Sequence, residues 1–180
     1  MAIAKGMTNR EWEIHEKAKS LQFLLSSVME SVENMSNSLK ENVLKLAEQE
    51  SDGDPEIRQE RVQYYFRVFN ISIPNDMAQI FLQSMVVQIC TYIESILKDI
   101  AQNKKQDKNM SKIESYYNHI QMEKKKNLGF ITKYIPDWVR LHKMRNDIAH
   151  DGFTIEHLTQ QYIESTIEEA RLFLETVENA

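Results

Sequence analysis

Apolar residues return at every third or fourth position along most of this chain, the spacing of one face of an α-helix. The longest run is Ile14, Ala18, Leu21, Leu25, Val28, Val32, Met35, Leu39, Val43 and Leu46. It keeps a heptad-like seam for more than four heptads and predicts one long helix. That helix opens at Thr8 or Asn9, either of which can cap it, and Glu11 and Glu13 suit its positive end. A stripe of this length cannot be buried by its own helix. It needs a long partner in the chain or a second copy of itself.

Glu50-Ser-Asp-Gly-Asp-Pro55 breaks the pattern: Gly53 can turn left-handed, Asp54 can cap, and Pro55 suits a first helical position. A second helix follows to about Asn70, with Val62, Tyr65, Phe66 and Phe69 on one face. After a break at Ser72–Asp76, a third helix to about Gln102 carries Phe81, Met85, Ile89, Ile93, Leu97 and Ile100. Leu82, Val86 and Ile96 widen that arc into the pattern of a central core helix. The polar, Lys-rich connection 102–110 is expected to be mobile. A fourth helix spans Ser111 to Lys126, with Ile113, Tyr116, Tyr117, Ile120 and Met122 apolar. A fifth follows Pro136 and ends at Asp151-Gly152. The last, capped by Thr154, runs through Glu175 with Leu158, Tyr162, Ile163, Ile167, Ala170 and Leu174 inward. Period-two alternation is absent, so the expected class is all-α: an up-and-down bundle of about six helices. Residues 1–72 are expected to form a helical extension packed on the domain 73–180.

Composition agrees. Of 180 residues, 42% are hydrophobic, and only 4 Gly and 3 Pro leave few turns. The net charge of −5 argues against a generic nucleic-acid binder. Charge is uneven, however: residues 98–126 hold eight Lys against four acids, between two acidic ends. The one cysteine, Cys90, sits in an apolar pattern and reads as a buried small hydrophobe. Met1 to Arg10 lacks a signal-peptide core, and the run Ile80–Cys90 is broken by Gln83, Ser84 and Gln88, short of a membrane span. A cytoplasmic, soluble chain with no membrane partner is expected.

Chemistry concentrates in Arg145-Asn146-Asp147-Ile148-Ala149-His150, just before Asp151-Gly152. Arg supplies a fixed fork of donors that matches phosphate. His can take and give a proton near neutral pH. Together they form a minimal kit for cleaving a phosphodiester that carries its own nucleophile, such as RNA with its 2′-hydroxyl. On a straight helix, residues five apart are turned by about 140°, so the pair would not share a face. Either the helix unwinds near Asp147, or the two meet across a symmetric dimer. The bland alternative has Arg145 paired with Asp147 or Asp151 and His150 merely ending a helix.

The stretch Arg-Asn-x-x-Ala-His closing a helix in an all-helical chain resembles the HEPN superfamily (higher eukaryotes and prokaryotes nucleotide-binding), over residues 75–178. The family Arg falls on Arg145, its polar residue on Asn146 and its His on His150. The resemblance implies a small helical domain that dimerises and cleaves RNA without a metal or cofactor, pooling two Arg and two His. It also implies a toxin–antitoxin or phage-defence setting, with an antitoxin protein as a further partner. One feature departs from members neutralised by adenylylation: their Tyr two residues after the His is Gly152 here. Many members are similar in carrying an acid in a Tyr-x-Glu context on the central helix, matched by Tyr92-Ile-Glu94.

Other candidates have weaker claims. Asn146 orients the His or a phosphate oxygen, or makes a local backbone bond. His142, one turn before Arg145, shares its face; a surface histidine is the plainer reading. Glu94, the one acid inside the apolar stretch of the third helix, needs a partner, and Arg145 is the natural one. Asp147 is a further candidate support. Lys124, Lys125 and Lys126 can track an RNA backbone, or simply solvate a helix end. Tyr64, Tyr65, Tyr116 and Tyr117 can stack bases, though such spacing more often marks core. A bundle-core di-metal site needs Glu-x-x-His pairs, which are absent, and no Gly-rich phosphate loop or nucleophile elbow appears.

Overall fold

The computed structural model describes residues 8–69, 73–102, 105–107 and 110–180. Among these are six α-helices: α1 (Asn9–Glu50), α2 (Pro55–Val68), α3 (Ile73–Ile100), α4 (Lys112–Lys124), α5 (Trp138–Asp151) and α6 (Gln160–Glu178). A single 3₁₀ turn spans Ile131–Lys133, and no strand appears among the described residues. The protein is an all-α helical bundle with a long N-terminal helix. Asn70 to Ser72, and 103–104 and 108–109 of the connection expected to be mobile, lie outside the described residues.

The caps explain most helix starts. Thr8 and Glu11 satisfy each other's backbone N–H groups, at 3.1 and 2.7 Å, and so open α1 as a capping box. Asp54 caps α2 through Glu56 N (2.8 Å) and Ile57 N (3.3 Å), ahead of Pro55. Ser111 caps α4. Two boundaries differ from expectation. The third helix begins at Ile73, not Asp76, because Pro74 sits in its first turn, where no backbone N–H has a helical partner to lose. The last helix begins at Gln160: Thr159 is its cap, accepting from Tyr162 N at 3.2 Å. Thr154 is instead buried and tied to α3, since the Gln83 amide donates to its carbonyl (3.1 Å) and accepts from its N–H (3.3 Å).

The chain forms two compact units. One comprises the described residues up to Leu25 with Leu82–Ala180; the other is Ser26–Phe81. In the first, α3 is the central helix. Met85, Val86, Ile89, Ile93, Ile96 and Leu97 are fully buried there. The Tyr92 hydroxyl donates to the Ile14 carbonyl of α1 at 2.9 Å, and burial pushes its pKa up. The start of α1 meets the end of α6 through Arg10–Glu178 (3.0 Å) and His15–Glu175 (2.8 Å). Phe173 of α6 packs against Tyr117 and Tyr134 at ring-centroid distances of 5.4 and 5.7 Å. Thus Tyr116 and Tyr117 belong to the core, while Met122 and Val139 turn outward.

In the second unit, Val43, Ala47 and Ser51 of the α1 end and its turn are buried. Arg58 pairs with Glu48 at 2.6 Å, Arg61 with Glu50 at 3.3 Å, and Tyr65 donates to Glu50. No residue of α2 is buried, so its aromatic face, Tyr65, Phe66 and Phe69, is not covered as a core face would be. Within 55–100, one stretch is long and apolar enough to cross a membrane by length and composition, and half of it is buried inside the protein. That reaches further than the run Ile80–Cys90 suggests.

The cap assignment is directly testable. Thr159→Ala should lower stability by about 1 kcal/mol in urea unfolding, the usual worth of such a cap. A change indistinguishable from zero would remove Thr159 from that role.

Candidate functional site

The motif helix runs unbroken. Residues 145–151 are helical, and Gly152 ends α5 with φ +80, its N–H returning to the Ile148 carbonyl at 3.0 Å. No unwinding occurs at Asp147. Trp138, Leu141 and Met144 form the buried side of α5 and fix its rotation. With that side inward, His142, Arg145 and Asn146 fall on one flank, at the three- and four-residue spacing of a shared face. His150 lies about 140° round from Arg145, and about 7.5 Å along the axis, and is exposed.

The Arg145 flank lines a cavity of about 330 Å³. Cys90, Thr91 and Glu94 of α3 form one wall; Ser111, Lys112 and Ile113 at the start of α4 form another. His142, Arg145 and Asn146 close it, with Gln106 at its edge. Each group is positioned. The His142 ring stacks on Trp138, 5.4 Å between centroids at 17°. The Arg145 guanidinium donates to Asn146 Oδ1 at 3.1 Å. Glu94 pairs with Lys112 Nζ at 3.1 Å, so its partner is on α4 and not, as expected, Arg145. Arg145 pairs with neither Asp147 nor Asp151 among the described residues. Its five donors are therefore largely free to face the cavity.

Four sequence-derived candidates thus converge: Arg145, Asn146, His142 and Glu94. His150 and Asp147 do not line the cavity. The other histidines all have contacts: His15 with Glu175, His119 with the Lys105 carbonyl, His157 with the Leu158 carbonyl and His142 with Trp138. The His150 ring makes no hydrogen bond or ion pair among the described residues. Beside it, Phe153 and Ile155 are 59% and 90% exposed, and Val139 on the outer face of α5 is 73% exposed.

Sequence reasoning missed Lys112. It counts among the eight lysines of the basic stretch, but nothing local separates it from its neighbours. Only the packing of α4 on α3 brings it to Glu94. Cys90 lies in the wall, and burial pushes its thiol up to about 12; the Arg145 charge pulls the other way and Glu94 adds to the rise. It is no nucleophile near neutral pH, since the thiolate is the reactive form. Among the described residues no three His, Cys, Asp or Glu side chains gather as a metal site.

The Lys124–Lys126 run divides. Lys124 Nζ donates to the Val177 and Glu178 carbonyls, each at 2.8 Å, and so satisfies the C-terminus of α6. Its ammonium is not available to track RNA. Lys125 ends α4 in the left-handed region, φ +50, and Lys125 and Lys126 are exposed.

This division predicts separable effects. Lys124→Gln should destabilise the protein by about 1–2 kcal/mol, because two carbonyls lose a charged donor. The pair Lys125→Gln and Lys126→Gln should leave stability within about 0.5 kcal/mol. If the pair guides RNA, its loss flattens the salt dependence of binding; an unchanged slope assigns both lysines to solvation alone.

No protein-family model, no curated protein and no solved structure matches the chain, so the site stands on its own residues and their geometry.

Proposed function

We propose that this chain is a metal-independent endoribonuclease of HEPN type, acting as a homodimer in the cytoplasm. The observation that carries the reading is the division of the motif. Arg145 faces a cavity with His142, Asn146 and Lys112, whereas His150 stands exposed and unpartnered on another face of the same unbroken helix. One copy therefore holds the phosphate-binding half and displays the proton-transfer half. A second copy packed on the outer face of α5 completes the kit; the exposed Phe153 and Ile155, close to His150 in the chain, and Val139, about three turns earlier on α5, supply apolar area for that contact.

In this site Arg145 holds the scissile phosphate and stabilises the extra charge of the pentacoordinate transition state. His150 of the other copy accepts the 2′-hydroxyl proton and passes a proton on to the 5′-leaving oxygen. The 2′-oxygen bonds to phosphorus as the bond to the 5′-oxygen breaks, giving a 2′,3′-cyclic phosphate and a 5′-hydroxyl. Asn146 orients the guanidinium through their 3.1 Å hydrogen bond. The setting that fits is a toxin with its antitoxin, or a phage-defence effector. A second reading, a non-catalytic nucleotide- or partner-binding module, is favoured by one observation: His150 does not reach the cavity of its own chain.

Two experiments separate the readings. Cleavage should persist in excess EDTA; activity lost to the chelator and restored by Mg²⁺ or Mn²⁺ would refute the metal-free mechanism. Arg145→Ala and His150→Ala should each cut the rate by about 10²–10³ or more while keeping the dimer. If each site takes Arg from one chain and His from the other, mixing the two variants regenerates one intact site per heterodimer and recovers activity. Absence of recovery from a demonstrated heterodimer would reject the shared site. Absence of cleavage by the unaltered dimer would favour the binding module.

A further inference from the structure

A second cavity opens beside the first. It encloses about 660 Å³ between the early turns of α1 and the middle of α3, within the range of small-molecule sites. Trp12, Leu21, Leu24 and Tyr92 give it apolar walls. Thr91 lines both cavities and is exposed, so the two adjoin on the outward strip of α3 and a ligand laid across Thr91 reaches both.

Charge changes sign along that tract. At one end stand Arg145 and Lys112 against Glu94. At the other stand Glu13 and Glu16 against Lys17. Lys17 is already held by Glu13 at 2.7 Å and reaches the Ser95 hydroxyl at 3.4 Å. The Glu16 carboxylate has no hydrogen bond or ion pair among the described residues. A ligand that matches is anionic at one end. At the other it is flat, uncharged and able to donate N–H groups to a carboxylate.

We infer that the tract binds a single ribonucleotide unit of an unpaired strand. Its phosphate lies between Arg145 and Lys112, and its base stacks on Trp12 with an exocyclic amino group donating to Glu16. The base is then adenine, guanine or cytosine in preference to uracil, which has no amino group. Glu94 is a positioning residue, holding Lys112 toward the phosphate. This rests on the reading of Arg145 as a phosphate holder, and it adds a base preference which that reading does not contain. A helix from a second copy is the other candidate occupant of the apolar groove. The adjoining cavity with Arg145 and Lys112, which shares Thr91 with the groove, favours the nucleotide.

The test is equilibrium binding to the full chain carrying His150→Ala, with AMP, UMP and inorganic phosphate as probes. AMP should bind about 10-fold tighter than phosphate, as expected for one base on an aromatic side chain, and should quench tryptophan fluorescence. UMP should fall several-fold below AMP. Trp12→Ala should bring AMP down to the affinity of phosphate without changing phosphate itself. Glu16→Gln, a conservative change at a half-buried position, should narrow the gap between AMP and UMP and guards against misfolding of the Trp12 variant. Equal binding of AMP and phosphate would overturn the base subsite while leaving the role of Arg145 standing. No phosphate binding at all would overturn both. Self-association that depends on Trp12 and ignores AMP would give the groove to a second copy instead.

Discussion

Between Leu82 and Ile100 the third helix buries ten side chains, among them Met85, Ile89, Ile93 and Leu97 with no exposed area. Removing a large apolar side chain from water is worth roughly 1.5–3 kcal/mol, so no other arrangement of this helix competes with its burial. That requirement draws α1 to one flank, where Tyr92 reaches the Ile14 carbonyl, and α4 to another, where Glu94 meets Lys112. Among the positions left outside is a narrow polar strip, Gln88, Thr91, Glu94 and Ser95, at three- and four-residue spacing. Both cavities lie on that strip. The site is thus the part of α3 that its own core leaves uncovered, and its rigidity comes from the packing beneath it.

The rotation of α5 is the second constraint. Trp138, Leu141 and Met144 must face inward, and that choice fixes every other side chain on the helix. Arg145 falls toward α3 and α4, and His150 falls away. Gly152, in a conformation that glycine adopts without strain, ends the helix right after the motif and lets the chain turn toward Gln83. Shifting His150 beside Arg145 within one chain would require unwinding the last turn or rotating three buried side chains out of the core. Either would disrupt the packing of α5, and pairing two copies, as proposed, avoids both.

Much of this was legible in the sequence, and the exceptions have physical causes. The periodic apolar face of α3 and the Asp54-Pro55 start of α2 follow from local rules and are found where those rules put them. Pro74 misled because a proline is equally at home just before a helix and in its first turn. Thr154 and Thr159 are both adequate caps; the choice between them lies with Gln83, seventy-one residues earlier, which holds the Thr154 backbone. Lys124 reads as one of three equal lysines, but only the approach of the α6 terminus distinguishes it. At the site, the shared flank of His142, Arg145 and Asn146 is legible from spacing. Lys112 is not, because its partner Glu94 is eighteen positions away on another helix. Contacts that depend on which helices become neighbours carry no local signal.

These placements bear on how an acidic protein can handle an anionic polymer. With a net charge of −5, the chain generates no long-range field that would gather RNA. The basic stretch 98–126 softens this less than its composition suggests: Lys124 is bound to carbonyls and Lys112 to Glu94. In the proposed function, attraction is therefore of close range, centred on the cavity where Arg145 has free donors. Few phosphates can be engaged there at once. The counterion release that drives extended nucleic-acid binding is correspondingly small. For the proposed ribonuclease, affinity then draws on contacts that salt does not screen, of the kind the apolar lining of Trp12, Leu21 and Leu24 offers.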